Sequence, residues 1–282
     1  MKEIHNSKFK IQKIFKAMLQ RIVSYLNLAA AYVYLNLKAH LEYRGAFITQ
    51  VVAMVLNNLV WVTFWALFFQ RFPVLRGWTV QDVITLWALA AAGFGLAHAI
   101  CGNALRLSGL IVRGQLDVWM LYPRTLLSHL LLGQMSATAW GDLLFGYGVY
   151  LFFVKPDFIH LFMFTALSIS SAVVYIGFNV LAGSLSFYLG NSEGLTQQWR
   201  NAMLTFSTYP ATLFEGWVKL LLYTAIPAGF VTYLPIEALR RLSLVHTLLA
   251  MAGAIAVLLV GTGVFYHGLR RYASGNLMDM RG

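Results

Sequence analysis

Long uncharged runs dominate this 282-residue chain. No Asp, Glu, Lys or Arg occurs from Gly45 to Gln70, from Val83 to Leu105, from Phe158 to Ser192 or from Leu242 to Leu269. A helix rises about 1.5 Å per residue and the hydrocarbon core of a bilayer is about 30 Å thick, so about 20 such residues make a crossing. Each run therefore predicts a transmembrane helix. Between Thr125 and Val154 the only charge is Asp142, which predicts another helix carrying one acid at membrane depth. A sixth is expected from Trp199 to Trp217, interrupted by Arg200 and Glu215, with Pro210 inside it to kink or end it. The stretch from Leu220 to Ile236 is uncharged too, but Pro227 and Pro235 each remove a backbone donor. Such broken backbone survives at membrane depth only when packed in protein or lining a watery cavity, so a re-entrant hairpin before the last span is expected.

Ahead of the first run, Ile22, Leu26, Ala29, Val33, Leu37 and Leu41 recur at three- and four-residue spacing, with Asn27, Asn36 and Lys38 elsewhere. That spacing predicts an amphipathic helix lying in the membrane interface. Nothing obvious in the first 44 residues marks a cleavable signal peptide. The chain thus divides into an N-terminal segment with an interfacial helix (1–44), a membrane domain (45–269) and a tail (270–282). No internal repeat, low-complexity tract or soluble domain interrupts this order. The fold class is all-α integral membrane with six transmembrane helices.

Composition closes off other classes. Apolar residues make up 59% and charged residues 11%, against about 25% charged in ordinary soluble domains, and mean hydropathy is +0.67. A soluble enzyme, a disordered protein and a secreted module are excluded. A net charge of +11 would suggest nucleic acid in a soluble chain, but here the basic residues sit between apolar runs. With the N-terminus inside, fifteen of the 21 Lys and Arg fall on the cytoplasmic side and six opposite, so both termini are expected in the cytoplasm. The single cysteine, Cys101, leaves no internal disulfide framework or multi-cysteine metal site.

Recognisable reaction chemistry is missing. There is no GxxxxGK[ST] phosphate loop, HExxH or GxSxG, so neither nucleotide hydrolysis nor metal-assisted catalysis is expected of this chain, and no metal site is expected. Of the scattered histidines His98 lies deepest. It is read as a packed or hydrogen-bonded helix residue, with substrate contact the other reading. Asp142 is an ionisable group inside a span, which makes it a functional candidate by default; the other reading is a carboxyl near an interface or bonded to a neighbouring Tyr or Asn. Glu215 could be solvated in a vestibule, in a structural or a substrate-contacting role. Trp78, Trp119, Trp199 and Trp217 fall near span ends, where interface anchoring predicts them. Ala88, Ala92, Gly95 and Ala99 put small residues on one helix face and permit another helix to approach closely, within the chain or in a second copy.

The connection from Arg106 to Thr125 is longer than a simple hairpin requires. Ile111, Leu116, Trp119 and Met120 could form an apolar face, with Arg113, Gln115 and Asp117 toward water. It reads either as an ordinary interfacial loop or as a short cytoplasmic helix offered to a partner.

Three segments resemble the permease subunits of ABC-2-type ATP-binding-cassette transporters, in particular the six-helix, paired-permease exporter branch. They are RGQLDVWMLYP from Arg113 to Pro123, YPATLFEGWVKLLLYTAIPAGFVTYLP from Tyr209 to Pro235, and GLRRYASGN from Gly268 to Asn276. The likeness extends from about residue 25 to the C-terminus. It implies that Arg113, Gly114, Leu116, Asp117 and Pro123 belong to a cytoplasmic coupling helix that docks on an ATPase. It implies that Pro210, Glu215, Pro227 and Pro235 belong to an outward re-entrant gate. It further implies two ATPase subunits carrying ATP and magnesium, a second permease, identical or paralogous, and a bacterial inner-membrane location. The expected cargo is hydrophobic or amphiphilic: a drug-like molecule, a lipid or a lipid-linked product. No cofactor is expected on this chain and no nucleic acid among its partners. An autonomous ion-coupled carrier using Asp142 is the alternative. His98 and Asp142 match no motif of the family and stand as independent candidates for substrate contact.

Overall fold

The computed structural model describes residues 2–123 and 125–272. Most of the expected tail (273–282), the end of the third resembling segment, and Arg124 lie outside the described residues. The described residues contain no β-strand. In chain order the helices are α1 (Lys2–Glu42), α2 (Arg44–Arg71), α3 (Val80–Ile100), α4 (Leu107–Val112), α5 (Asp117–Met120), α6 (Leu126–Leu132), α7 (Ala137–Val149), α8 (Phe158–Ser184), α9 (Ser186–Leu189), α10 (Glu193–Ser207), α11 (Trp217–Leu221), α12 (Leu234–Arg241) and α13 (Leu244–Leu269). A π-helical turn, Tyr150–Val154, extends α7, and another, Gly229–Tyr233, leads into α12.

Five helical stretches among the described residues are long and apolar enough to cross a membrane: Arg44–Arg71, Val80–Ile100, Ala137–Val154, Phe158–Leu189 and Leu244–Leu269. Small residues set their packing. Gly95 rests on the backbone of Ala139 and Leu143, and Gly146 on Ala88 and Ala92, so α3 and α7 run antiparallel. The small face of α3 is thus used within the chain. Gly177 meets Leu258 and Gly268 meets Phe187, so α8 and α13 run parallel. Without a hydrophobic drive between helices in lipid, this close van der Waals approach is what holds them together.

Because α8 and α13 point the same way, the chain between them must return across the bundle. It does so from Glu193 to Glu215. Glu193 pairs with Arg113 at the end that carries α1, 2.9 Å away, and Glu215 pairs with Arg76 at the far end, 2.6 Å away. Between them Thr196 donates to the Ala182 carbonyl and Trp199 packs edge-on against Phe178, descending α8 as α10 ascends. The return differs from the expected helix from Trp199 to Trp217: α10 starts at Glu193 and stops at Ser207. Pro210 has no N–H to continue it, and a short 3-10 turn, Ala211–Leu213, carries the chain onward.

The chain also breaks where one helix was expected from Thr125 to Val154. It forms α6, a bend through Gly133–Ser136, and then α7. The bend lies beside the end of α3, and the two satisfy each other's open backbone groups. Ser136 N–H donates to the His98 carbonyl at 2.9 Å, Asn103 N–H to Gln134 at 3.2 Å, and the Asn103 amide to Leu130 at 2.8 Å. Gly102 makes the approach possible, since a Cβ there would lie 2.6 Å from the Met135–Ser136 backbone.

The N-terminal helix is present, and the bundle covers only part of its expected stripe. Ile22 and Leu26 stay 48% and 63% exposed. Contact with the bundle comes through Leu28, Ala29 and Tyr32, whose hydroxyl lies 2.9 Å from His129 Nδ1, and through Asn36, which donates to the Leu132 carbonyl. Trp78 departs from the expected interface belt. It is buried, with the Arg240 guanidinium 4.3 Å above its ring.

Candidate functional site

Gly114 ends α4 with φ +67, a left-handed turn that an L side chain would strain, and the chain then doubles back into α5. Leu116 is fully buried at the root of this loop. It packs in a cluster with Ile111, Leu127, Leu130 and Phe265, and Tyr32 and Tyr272 lie against that cluster. Burial and the neighbouring Asp117 carboxylate push the Tyr272 phenol up to about 12. The tip, in contrast, faces outward: Val118 is 60% and Leu121 85% exposed, with Met120, Tyr122 and Pro123 exposed around them. The expected apolar face therefore splits. Ile111 and Leu116 anchor the loop, Trp119 leans on Gly133, and Met120 turns out. Arg113, Gln115 and Asp117 are exposed, Arg113 in its ion pair with Glu193.

At the far end the segment between α10 and α13 dips into the bundle and comes back. Beyond Glu215 it descends until the Val231 carbonyl accepts a hydrogen bond from Ser171 at 2.6 Å, part-way along α8, and Phe230 covers Gly253 of α13. It then climbs to Arg240, whose Nε lies 2.8 Å from Asp82 at the start of α3. Pro210 precedes this excursion and Pro227 and Pro235 flank its deepest turn. An open cavity of about 750 Å³ sits over it, lined in part by Arg76, Glu215, Lys219 and Arg241.

Asp142 lies at mid-depth on α7, 3% exposed. Asn58 of α2 donates to its Oδ1 at 2.7 Å, while Oδ2 is buried without a hydrogen-bond partner. Beside it opens a cavity of about 280 Å³ between α2, α3, α7, α8 and α10, walled by aromatic rings. His98 is fully buried on α3 but does not line that cavity. Its Nδ1 lies 2.8 Å from the Phe94 carbonyl and its Nε2 3.0 Å from the Asn179 amide nitrogen. Since Asn179 donates, the imidazole is the neutral tautomer with its proton on Nδ1.

The family model described as an ABC-2 family transporter protein matches residues 51–275. The chain belongs to the ABC-2 transporter family. No curated protein and no solved structure matches it. This permease is an integral membrane protein, and its family and its five apolar helices agree on that point.

Within the permease the sequence-picked residues form three separate groups rather than one site. Arg113, Gly114, Leu116, Asp117 and Pro123 share the loop at the α1 end. Pro210, Glu215, Pro227 and Pro235 share the far-end excursion, and Asp142 stands alone at mid-depth. His98 has both ring nitrogens engaged and no access to the cavity. The residues that surround Asp142 were missed: Asn57, Asn58, Trp61, Trp87 and Tyr175. One signal was available, since Asn57 and Asn58 are adjacent amides inside an otherwise apolar run. Among the described residues no three His, Cys, Asp or Glu side chains gather in a group that could hold a metal ion.

Proposed function

We propose that this permease is the transmembrane subunit of an ATP-driven exporter for a hydrophobic or amphiphilic substrate. It works as one of two permeases above two ABC ATPases, which hold the ATP and magnesium. The observation that carries the reading is the loop at the α1 end. A tip of exposed apolar side chains, Val118 and Met120 to Pro123, rides on a buried root, Leu116, that shares one cluster with residues of α4, α6 and α13. An unpartnered apolar tip on a rigid base suits a protein groove, and its shared root lets a displacement reach several crossing helices together. Six crossings are supported by the parallel run of α8 and α13 and by the return from Glu193 to Glu215. An outward re-entrant gate is supported by the dip to Val231 and the return to Arg240. The excess of Lys and Arg at the α1 end supports cytoplasmic termini, and the family supports a bacterial inner membrane. ATP binding drives the change only through its different affinity for the two states of the assembly.

The test is co-purification of the permease from native membranes with its ATPase, wild type against Leu121→Asp. Loss of the ATPase in the variant, with the permease still monodisperse, is the expected result. Full retention of the ATPase by Leu121→Asp overturns the docking role of the tip. The unpartnered Asp142 oxygen favours one second reading, an ion-coupled carrier. Proteoliposomes of the permease alone that accumulate solute on an ion gradient would establish that carrier and end the exporter reading.

A further inference from the structure

The cavity beside Asp142 sits near the midpoints of α2, α3 and α8, at the depth where a transporter has most to gain from a specific contact. Asp142 supplies a carboxylate oxygen that none of the described residues satisfies. None of the residues lining the cavity is Lys, Arg or His. A buried carboxylate with neither counter-charge nor second hydrogen-bond donor carries a desolvation penalty of several kcal/mol. A positive partner brought in from outside would relieve that penalty.

The walls indicate what kind. Trp61 and Trp87 stack at 5.8 Å with planes 17° apart, and Phe94 meets Tyr175 edge-on at 5.4 Å. Trp87 and Phe94 are two turns apart on α3, with Ala90 and Ala91 between them leaving the space open. Aromatic faces attract cations through their quadrupole, and they hold weakly hydrated organic cations best. A small inorganic ion would instead need a shell of oxygen ligands. The exposed side chains at the mouth, Asn57, Trp61 and Thr205, belong to α2 and α10, so the cavity opens between those helices.

We propose that this cavity binds the positively charged headgroup of an amphiphilic cargo, an amine or quaternary ammonium, with Asp142 as its counter-charge and the aromatic rings as its walls. Asn58 is a positioning residue that fixes the carboxyl by holding Oδ1. The proposal rests on the transporter reading above and names its substrate class.

The experiment measures binding of benzyltrimethylammonium to the full-length permease–ATPase complex in nanodiscs, without ATP, by quenching of tryptophan fluorescence. Benzenesulfonate, similar in size and opposite in charge, is the control. Wild type is expected to bind the cation and not the anion. Asp142→Asn, which keeps the Asn58 contact, should bind the cation about tenfold or more weakly, and Asp142→Glu should retain binding. Should the Asp142 variants not fold, Trp61→Leu at the half-exposed mouth should weaken cation binding severalfold with no effect on assembly. Equal binding of both probes by wild type, or an Asp142→Asn protein that binds the cation as wild type does, overturns the proposal. An unselective cavity in a complex that retains its ATPase defeats the headgroup assignment alone. Asp142-dependent cation binding by a permease that co-purifies with no ATPase defeats the exporter reading and leaves the site standing.

Discussion

His98 and Asp142 are both polar, both buried and both held by an asparagine from a neighbouring helix, yet their surroundings differ in kind. In the seam between α3 and α8, both nitrogens of His98 are used, one by the Phe94 carbonyl and the other by Asn179, whose amide also reaches the Tyr175 carbonyl. Where α2 meets α7, Asn58 satisfies one oxygen of Asp142 and the second is left over beside an open cavity. Depth in the membrane does not separate the two residues; the count of satisfied atoms does. The Asn179 carbonyl oxygen is left over too, but it is neutral and does not line the cavity, and the bonds to His98 and Tyr175 tie α3 to α8. The Asp142 oxygen left beside the cavity keeps a place for something from outside.

Substitutions should pull the two sites apart. The largest effect is expected from His98→Leu, which leaves one N–H of the buried Asn179 amide without its acceptor and should cost about 1–3 kcal/mol. Thermal unfolding of the detergent-solubilised protein measures it as a lower midpoint. Asp142→Asn should leave that midpoint unchanged or raise it, because it removes a buried charge without breaking the Asn58 bond. A loss in Asp142→Asn as large as that in His98→Leu would erase the distinction drawn between them. The smallest effect belongs to a control far from both, Asp157 in the connection before α8. The His160 backbone N–H and imidazole hold its carboxyl below the usual carboxylate range. A carboxyl lowered by folding stabilises above its unfolded value, about 3.9, and the benefit disappears as pH falls through the folded value. Asp157→Ala should therefore differ slightly from wild type at neutral pH and converge with it in acid, read by the same midpoint. A difference that grows on acidification would contradict that sign.

The strongest signals in the sequence were those set by length. Uncharged runs locate α2, α3, α8 and α13 because a crossing helix needs about 20 apolar residues regardless of its neighbours. Breaks inside helices were harder to foresee. Gly133 to Ser136 looked like ordinary helix interior, and only the facing end of α3 at Gly102 and Asn103 gives the interruption its partners. The periodicity of α1 gave the helix, but not that Tyr32 and Asn36 would join it to α6. Asp142 was visible as a lone acid, whereas Trp61, Trp87 and Tyr175 joined it only through packing of α2, α3 and α8. Nothing local distinguishes those three rings from the many aromatics around them.

The paired interruption of α3 and the α6–α7 bend carries a mechanical consequence. Three hydrogen bonds rivet Asn103 to Leu130 and Gln134, and Ser136 to His98, at a single level of the bundle. Below that level, α4, α5 and α6 form a lever arm; above it, α3 and α7 lie locked by their glycine contacts. The two helix ends share these bonds, so a tilt of one at this level strains the other.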